Sequence, residues 1–318
     1  MFKNLYKKIF RLSNTIKYSK KSYSYLTTAF NLERKVDNNV ELNDEEYFEL
    51  KNYLDEVPNE KKFYVDIGCG NGVNGSCTLR LAKDNGWKGL AIDRGSPIYI
   101  SYIYRNLKNI TISQNTVTPN NVENIFKSYS LDSNFGFLNL DIDSYDYEVM
   151  KAILSSGYRP LIISAEINEV IPPPIEFYVR YDKVNNSELM VDHFFGCSLT
   201  AINKLLNSHN YNLIRVYRNN AFFVLRTFLK IEKKDELEAY VEGYFNLENR
   251  DDIFPYNIAL NHIFKKSSDD KLNFFKKRFQ QKESDYFLKV SESNDNWYRN
   301  IEIWISIKHK NKFFNQKY

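Results

Sequence analysis

The sequence has few cysteines and no long apolar runs. Its three cysteines, Cys69, Cys77 and Cys197, are an odd number and lack the spacing of a metal site, so the pattern favours a reducing compartment over a disulfide framework. No run of about twenty apolar residues is present, and no apolar core follows the basic N-terminus, so neither a transmembrane helix nor a signal peptide is predicted. We therefore expect a soluble, cytoplasmic protein.

A large excess of one charge is also lacking, because 44 Lys and Arg residues face 40 Asp and Glu. The net charge of +4 is too small to indicate a nucleic-acid partner. Residues 1–35 are an exception, with nine basic residues against Glu33 alone and apolar residues at helical intervals. This pattern fits a peripheral membrane contact or a helix packed on the core, and we expect residues 1–60 to form a helical N-terminal extension.

Glycine is scarce as well, with 11 residues, yet three of them occupy every second position directly after one apolar segment. Residues 62–67 are rich in Phe, Tyr, Val and Ile, as a central parallel strand should be, and Gly68, Gly70 and Gly72 follow. Because glycine has no side chain, the chain can turn sharply there and a ligand can approach the backbone amides. A strand, a glycine-rich turn and the start of a helix together predict a cofactor site.

Two carboxylates accompany this turn. Asp66 lies two residues before Gly68, and a second predicted strand ends at Asp93. Asp93 is suited to accept hydrogen bonds from two ribose hydroxyls, as an acid at this distance does in Rossmann-like folds. The alternating glycines differ from the dinucleotide fingerprint and are typical of class I methyltransferases, which bind S-adenosylmethionine. In that pattern Asp66 holds the ammonium end of the cofactor, directly or through water.

Strands and helices alternate five times before a hairpin with its turn at Asn219-Asn220, so a doubly wound α/β domain is predicted over residues 61–228. The likeness to methyltransferases implies a seven-stranded, mostly parallel sheet with the order 3-2-1-4-5-7-6. From residue 229 to 318 we expect helices without a chemical motif. This C-terminal region is open to a scaffold role, an oligomer contact or acceptor binding.

A second set of polar residues follows strands four and five. Asp141 and Asp143 end the fourth strand, and Glu166 and Asn168 end the fifth, so each pair should project to one side. If these strands are neighbours, the four side chains converge beside the methyl donor. An all-oxygen set suits Mg²⁺, and a carboxylate could instead act as general base toward a hydroxyl. His193 is a further candidate base, although a single histidine is more often structural.

Five blocks together resemble the FkbM-type methyltransferases: residues 65–72, 86–93, 138–147, 159–160 and 165–168. The resemblance covers residues 60–228 and implies O-methylation, commonly of sugar hydroxyls in glycans or glycosylated metabolites. Residues 140–143 are also similar to sugar O-methyltransferases of macrolide pathways, which implies Asp141 or Asp143 as Mg²⁺ ligand or base. The chain departs from that family at the next strand end, with Glu166 and Asn168 in place of paired aspartates.

The sequence therefore predicts an S-adenosylmethionine-dependent O-methyltransferase with a saccharide acceptor. An RNA or other nucleic-acid methyltransferase is the second reading, since the many aromatic residues could stack on bases. A non-catalytic protein that uses the same fold for binding is the third, although the intact glycine turn and its acids argue against loss of the cofactor site.

Overall fold

The protein is described by a computed structural model covering residues 45–73, 78–84, 86–107, 109–181, 193–280 and 285–291. The expected amphipathic helix in residues 1–35 and the end of the C-terminal region lie outside the described residues, as does Cys77. Among the described residues, no helix combines the length and the apolar character that crossing a bilayer would require.

A seven-stranded sheet forms the centre of the fold. Its strands are β1 (Phe63–Ile67), β2 (Lys88–Asp93), β3 (Ile110–Gln114), β4 (Phe137–Leu140), β5 (Ile162–Glu166), β7 (Tyr211–Tyr217) and β8 (Asn220–Leu225). They lie in the order β3-β2-β1-β4-β5-β8-β7, in which the first five are parallel and β8 is antiparallel to both neighbours. Numbered within this sheet alone, the order is the predicted 3-2-1-4-5-7-6. The fold is Rossmann-like, as in class I methyltransferases.

Residue type explains why these segments form the sheet. β4 and β5 are fully buried, and apart from Asn139 and Glu166 they consist of apolar or small residues, as expected for parallel strands covered on both faces. The covering helices are α2 (Leu79–Asp84), α3 (Ile98–Ile103), α4 (Val122–Ser128), α5 (Asp146–Ser155) and α6 (Leu199–Ser208). The apolar faces of α4, α5 and α6 form one main core with the strands. Ile100 of α3 packs in a smaller core with Cys69 and Val73, and α2 contributes Leu81 to the main core and Leu79 to the smaller one.

The hairpin that ends the sheet turns one residue earlier than the sequence suggested. We expected the turn at Asn219-Asn220, but Asn220 already belongs to β8 and the loop is Arg218-Asn219. Arg218 adopts a left-handed backbone with φ of 56°. Its guanidinium pairs with Glu45 at the start of the N-terminal helix Glu45–Asp55, which anchors the turn.

Helix α1 (Glu45–Asp55) is the described part of the N-terminal extension. It buries Tyr47, Leu50 and Leu54 in the main core, so it is an integral part of the fold. Glu46 is also buried and accepts a hydrogen bond of 3.0 Å from the amide of Asn220. The extension therefore packs where the hairpin meets the sheet.

The C-terminal region contains a strand that the sequence analysis did not predict. Strand β9 (Tyr286–Val290) pairs antiparallel with β6 (Ile175–Val179), which follows the prolines after β5 and was also not predicted. The purely helical description of residues 229–318 is therefore wrong, and the proposed boundary at residue 228 divides this two-stranded sheet. A second apolar core joins it to a 3₁₀ helix (Pro255–Lys265) and to the last helix described (Ser268–Arg278).

Two short helices and a π-helical turn complete the described C-terminal region. Helix α7 (Glu236–Tyr240) continues into a π-helical turn (Val241–Phe245), helix α8 (Arg250–Ile253) follows, and the helix at Ser268–Arg278 is α9. Gly243 lies against β7, where an added Cβ would be 1.8 Å from the carbonyl oxygen of Val216. This close approach holds the C-terminal region against the edge of the main sheet.

Candidate active site

A cleft of about 270 Å³ opens at the carboxyl ends of β1, β2 and β4. This is the edge at which open α/β sheets bind ligands. Its lining consists of Ile67, Gly68, Gly70, Ile92, Asp93, Arg94, Asn115, Thr116, Val117, Asp141, Ile142, Asp143, Ser144 and Tyr145. The predicted glycine turn and the predicted acids of β4 thus form two sides of one cleft.

The three glycines of the turn have different roles. All have positive φ, at 90° for Gly68, 54° for Gly70 and 74° for Gly72. An added Cβ at Gly68 would lie 1.5 Å from the Asp141 carbonyl oxygen, and one at Gly72 would lie 2.9 Å from Ile100. A Cβ at Gly70 would meet nothing within 4 Å. Gly68 and Gly72 therefore permit close packing, whereas Gly70 leaves open space in the cleft.

Asp93 is held by the backbone around the cleft. Its Oδ2 accepts a hydrogen bond of 2.9 Å from the Gly70 amide, and its Oδ1 accepts one of 2.5 Å from the Gly95 amide. The side chain is partly exposed and lines the cleft, so its carboxylate oxygens can also be reached by a ligand. This placement suits the predicted contact with ribose hydroxyls.

Asp66 does not line the cleft. It is 1% exposed, and its two oxygens accept hydrogen bonds from Thr78 Oγ1 at 2.6 Å and from Asn139 Nδ2 at 2.9 Å. Asn139 is its register partner on β4. Burial raises the pKa of Asp66, and these hydrogen bonds partly offset that effect. Asp66 therefore ties β1 to β4 and to the start of α2, and any contact with a cofactor ammonium group would be indirect.

The carboxylates of Asp141, Asp143 and Glu166 form a compact cluster. One oxygen from each can be chosen so that all three lie within 4.8 Å of one another. Glu166 is buried behind the cleft, and its Oε1 accepts a hydrogen bond of 3.0 Å from Asn219. Its Oε2 is buried without a hydrogen-bond partner among the described residues. A buried oxygen in this state can be satisfied by a proton, by a water molecule or by a cation.

The proximity of these three carboxylates strongly disfavours the state in which all three are ionised. The pKa of Asp141 is raised well above its ordinary value by burial and by the charges of Asp143 and Asp146. The pKa of Glu166 is raised well above its ordinary value by burial and then by Asp141 and Asp143. Burial also raises the pKa of Asp143, although Arg94 opposes this shift. The cluster is thus prepared to take up a proton or a metal ion.

Asp146 fixes the loop that carries Asp143. It is 1% exposed, and its carboxylate accepts hydrogen bonds from the Ile142 amide at 2.9 Å and the Ser144 amide at 3.0 Å. Asp143 between them has a left-handed backbone with φ of 57°. Asp146 was not among the predicted site residues, because its role depends on backbone amides that no sequence motif marks.

Asn168 and His193 are brought together, but neither lines the cleft. The Asn168 amide donates to the carbonyl oxygens of His193 at 2.8 Å and Phe195 at 2.9 Å, and its buried Oδ1 has no hydrogen-bond partner among the described residues. His193 Nδ1 lies 3.1 Å from Arg278 Nη2, and Nε2 lies 3.1 Å from Asn257 Oδ1. Because Arg278 can only donate, Nδ1 accepts and Nε2 carries the proton. Both ring nitrogens are thus engaged, which does not suit the predicted role as base.

The C-terminal region contributes residues that the sequence analysis missed. Asn257 is buried and donates to Glu169 Oε1 at 2.6 Å and to the Tyr244 hydroxyl at 3.0 Å. Glu169 follows Glu166 by three residues, and burial raises its pKa to about 7. No sequence motif marks Asn257, since its importance comes from contacts across the chain.

Comparison with known proteins gives remote similarity in structure only. No protein-family model matches the chain, and no curated protein sequence does. A 1,6-didemethyltoxoflavin-N1-methyltransferase from Burkholderia thailandensis shares 11% identity over 67% of this chain and 91% of its own, with a TM-score of 0.36. A SAM-dependent methyltransferase from Aquifex aeolicus shares 14% identity over 61% of this chain and 98% of its own, with a TM-score of 0.33.

A third solved structure is CalS10, an amino pentose methyltransferase from Micromonospora echinaspora. It shares 8% identity over 67% of this chain and 98% of its own, with a TM-score of 0.35. Similarity at this level does not assign a substrate or an activity. Function is therefore inferred from the residues of the cleft.

Proposed function

We propose that this protein is an S-adenosylmethionine-dependent O-methyltransferase that acts on a saccharide hydroxyl. The observation that carries the proposal is the position of the acid cluster. Asp141 and Asp143 line the same cleft as Gly70 and Asp93, at the carboxyl edge of a Rossmann-like sheet. Residues suited to hold a cofactor and residues suited to accept a proton from a hydroxyl thus line one cleft, which supports methyl transfer to a hydroxyl.

The cofactor side fits a nucleoside-containing sulfonium compound. The open space above Gly70 admits a ligand close to the backbone, and the fixed Asp93 carboxylate is suited to two ribose hydroxyls. Such a cofactor supplies an electrophilic methyl group. The residues of this chain then bind and orient the two reactants, which supports in-line transfer through proximity.

The acid side prepares the acceptor. An alcohol is a weak nucleophile until its proton leaves, and a carboxylate can accept that proton. Asp143 is the candidate base because it is the most accessible member of the cluster and lines the cleft. Asp141 lines the same cleft and Glu166 is buried, and the raised pKa values of both favour a shared proton.

The same donor set fits Mg²⁺. The three carboxylates supply only oxygen ligands, and Oε2 of Glu166 is buried without a hydrogen-bond partner among the described residues. The buried Oδ1 of Asn168, just after the same strand, adds one further oxygen. Asp141, Asp143 and Glu166 would hold the ion, with Asn168 as a further candidate. A bound divalent ion would lower the pKa of an acceptor hydroxyl.

The test uses purified protein with methyl-labelled S-adenosylmethionine and separate glycan, RNA and protein fractions. We expect label in the glycan fraction. Asp141→Asn and Asp143→Asn should lower turnover by about 10²- to 10⁴-fold, the usual contribution of a general base, while S-adenosylhomocysteine binding is retained.

Asp132→Asn is a matched control, because Asp132 precedes β4 at the opposite edge of the sheet and pairs with Lys61. It should retain full turnover. Unchanged turnover in both cluster variants would remove the acids from the mechanism. Label in RNA would favour the nucleic-acid alternative, and a protein that binds no S-adenosylhomocysteine would not be this kind of enzyme.

A further inference from the structure

Tyr256 presents an exposed aromatic ring in a region where most large side chains are buried. It is the second residue of the 3₁₀ helix in the C-terminal region, and 58% of its surface is exposed. Among the described residues, the other large apolar side chains with comparable exposure are Phe48, Tyr129 and Ile258. An exposed aromatic ring of this size offers a large apolar contact area to a ligand.

Two rings fix the orientation of Tyr256. Phe254 packs against it edge-on, with centroids 6.1 Å apart and planes at 88°. The His193 ring lies 6.1 Å away, and it is itself held by Arg278 and Asn257. These contacts define the position of the tyrosine ring and leave most of its surface free. A ring held in this way loses little conformational entropy when a ligand binds.

Hydrogen bonds attach the two neighbours of this ring, Asn257 and His193, to the residues that follow β5. Asn257, the next residue, donates to Glu169 Oε1 at 2.6 Å. Asn168 Nδ2 donates to the carbonyl oxygen of His193 at 2.8 Å. Both tethers therefore end within three residues of Glu166, a member of the acid cluster.

The hydroxyl end of Tyr256 lies in the electric field of that cluster. Burial raises the pKa of the phenol to about 12, and the charges of Glu169, Glu166 and Asp143 raise it in the same direction. The phenol therefore remains neutral and can donate a hydrogen bond at neutral pH. The side chain combines an apolar face with a polar end beside carboxylates.

We propose that Tyr256 is an acceptor-binding platform, on which the C–H face of a saccharide ring packs while one of its hydroxyls reaches the acid cluster. A pyranose has an apolar face and a rim of hydroxyls, which matches an aromatic face beside hydrogen-bonding carboxylates. A nucleic acid is a poorer match, because its phosphates would be repelled by the same acids. This inference rests on the proposed function and adds the residue that holds the acceptor.

The test measures saturation transfer by NMR from the protein to three probes in the presence of S-adenosylhomocysteine. The probes are methyl α-D-mannopyranoside, methyl β-D-glucopyranoside and methyl α-L-rhamnopyranoside. At least one should bind the wild-type protein through its C–H protons. Tyr256→Ala should weaken that binding by about fivefold, the size expected for one aromatic contact, and Tyr256→Phe should retain the ring contact.

Ile258→Ala is the matched control, because it removes another exposed side chain of the same 3₁₀ helix and should bind as the wild type does. Cofactor binding is followed separately by calorimetry with S-adenosylhomocysteine. Two outcomes would contradict the role of Tyr256 as a platform and leave the methyltransferase proposal intact. In the first, Tyr256→Ala binds the probe as the wild type does; in the second, the wild type binds S-adenosylhomocysteine but none of the probes. Tyr256-dependent probe binding without S-adenosylhomocysteine binding would support the platform and reject the proposed function.

Discussion

The Oδ2 atom of Asp93 accepts a hydrogen bond of 2.9 Å from the backbone amide of Gly70. This bond joins the end of β2 to the turn after β1, so the carboxylate and the glycine turn form one unit. The second oxygen is fixed in the same way by Gly95, at 2.5 Å. The carboxylate is therefore oriented before any ligand arrives, which reduces the entropy lost on binding.

Removal of this carboxylate should affect cofactor binding more than stability. We expect Asp93→Ala to weaken S-adenosylhomocysteine binding by at least about tenfold, because hydrogen bonds to a charged group contribute about 1.5–3 kcal/mol. Calorimetric titration measures this change. Asp132→Asn, at the opposite edge of the sheet, should bind with wild-type affinity. Equal affinity in Asp93→Ala would remove Asp93 from the cofactor site.

The three glycines should respond differently to alanine. Gly70→Ala places a methyl group in open space, so we expect reduced S-adenosylhomocysteine affinity with a loss of only about 1 kcal/mol in unfolding free energy from the positive φ. Gly68→Ala would meet the Asp141 carbonyl oxygen and should fail to fold, whereas Gly72→Ala should destabilise through Ile100. Calorimetry and thermal unfolding separate these outcomes. Normal affinity in Gly70→Ala would place the cofactor elsewhere.

The parts of the fold that the sequence predicts correctly are those where one residue pattern has one structural solution. The main sheet followed from alternating apolar strands and helices, and the meeting of Asp141 with Glu166 followed from neighbouring parallel strands. The direction of a side chain was harder to predict. Asp66 occupies the position of a cofactor ligand in the motif. In the structure it lies opposite Asn139 of β4 and accepts a hydrogen bond from that side chain within the sheet.

Contacts between distant parts of the chain could not be predicted from local pattern. Strands β6 and β9 pair across more than a hundred residues, and the segment that forms β9 was predicted to be helical. Asn257, also in the C-terminal region, hydrogen-bonds to Glu169 just after β5 across 88 residues of sequence. Glu46 likewise comes from the N-terminal extension, yet its charge contributes to the raised pKa of Asp141.

Asp143 should show a conflict between stability and activity. Its φ of 57° costs free energy for a residue with a side chain, and its charge lies beside other acids. We expect Asp143→Gly to raise the unfolding free energy by up to about 1 kcal/mol while turnover falls sharply. Asn210→Gly relieves a similar φ of 67° at an exposed turn and should leave turnover unchanged. An active, stabilised Asp143→Gly enzyme would argue against a catalytic role for this carboxylate.

Mg²⁺ should stabilise the protein near neutral pH if the cluster holds it. At about ten times the dissociation constant, a bound ligand adds about 1.4 kcal/mol to the unfolding free energy. Thermal unfolding with and without Mg²⁺ measures this gain in unfolding free energy. The wild type should show it, and Glu166→Gln should not. Protons compete for the same oxygens, so the gain should shrink as the pH falls. An equal gain in Glu166→Gln would place the ion outside the cluster.

Buried acids outside the metal-binding set should make the protein more stable in mild acid. Burial raises the pKa of Glu46 and of Glu169 from 4.5 to about 7. Between these values the folded protein binds more protons than the unfolded chain, so this stabilisation is complete below 4.5 and is lost as the pH rises through 7. Each group contributes at most about 1.4 kcal/mol per pH unit.

The melting temperature should therefore rise as the pH is lowered from neutral toward about 5.5. In Glu169→Gln the melting temperature should depend less on pH, because the glutamine amide is neutral throughout this range. Glu56→Gln, at an exposed position, should keep the wild-type slope. The measurement stays below pH 7 because burial lowers the pKa of Lys271 to about 7, and that group has the opposite slope at higher pH. A melting temperature that falls on acidification over this range would show that Glu46 and Glu169 remain ionised in the folded protein.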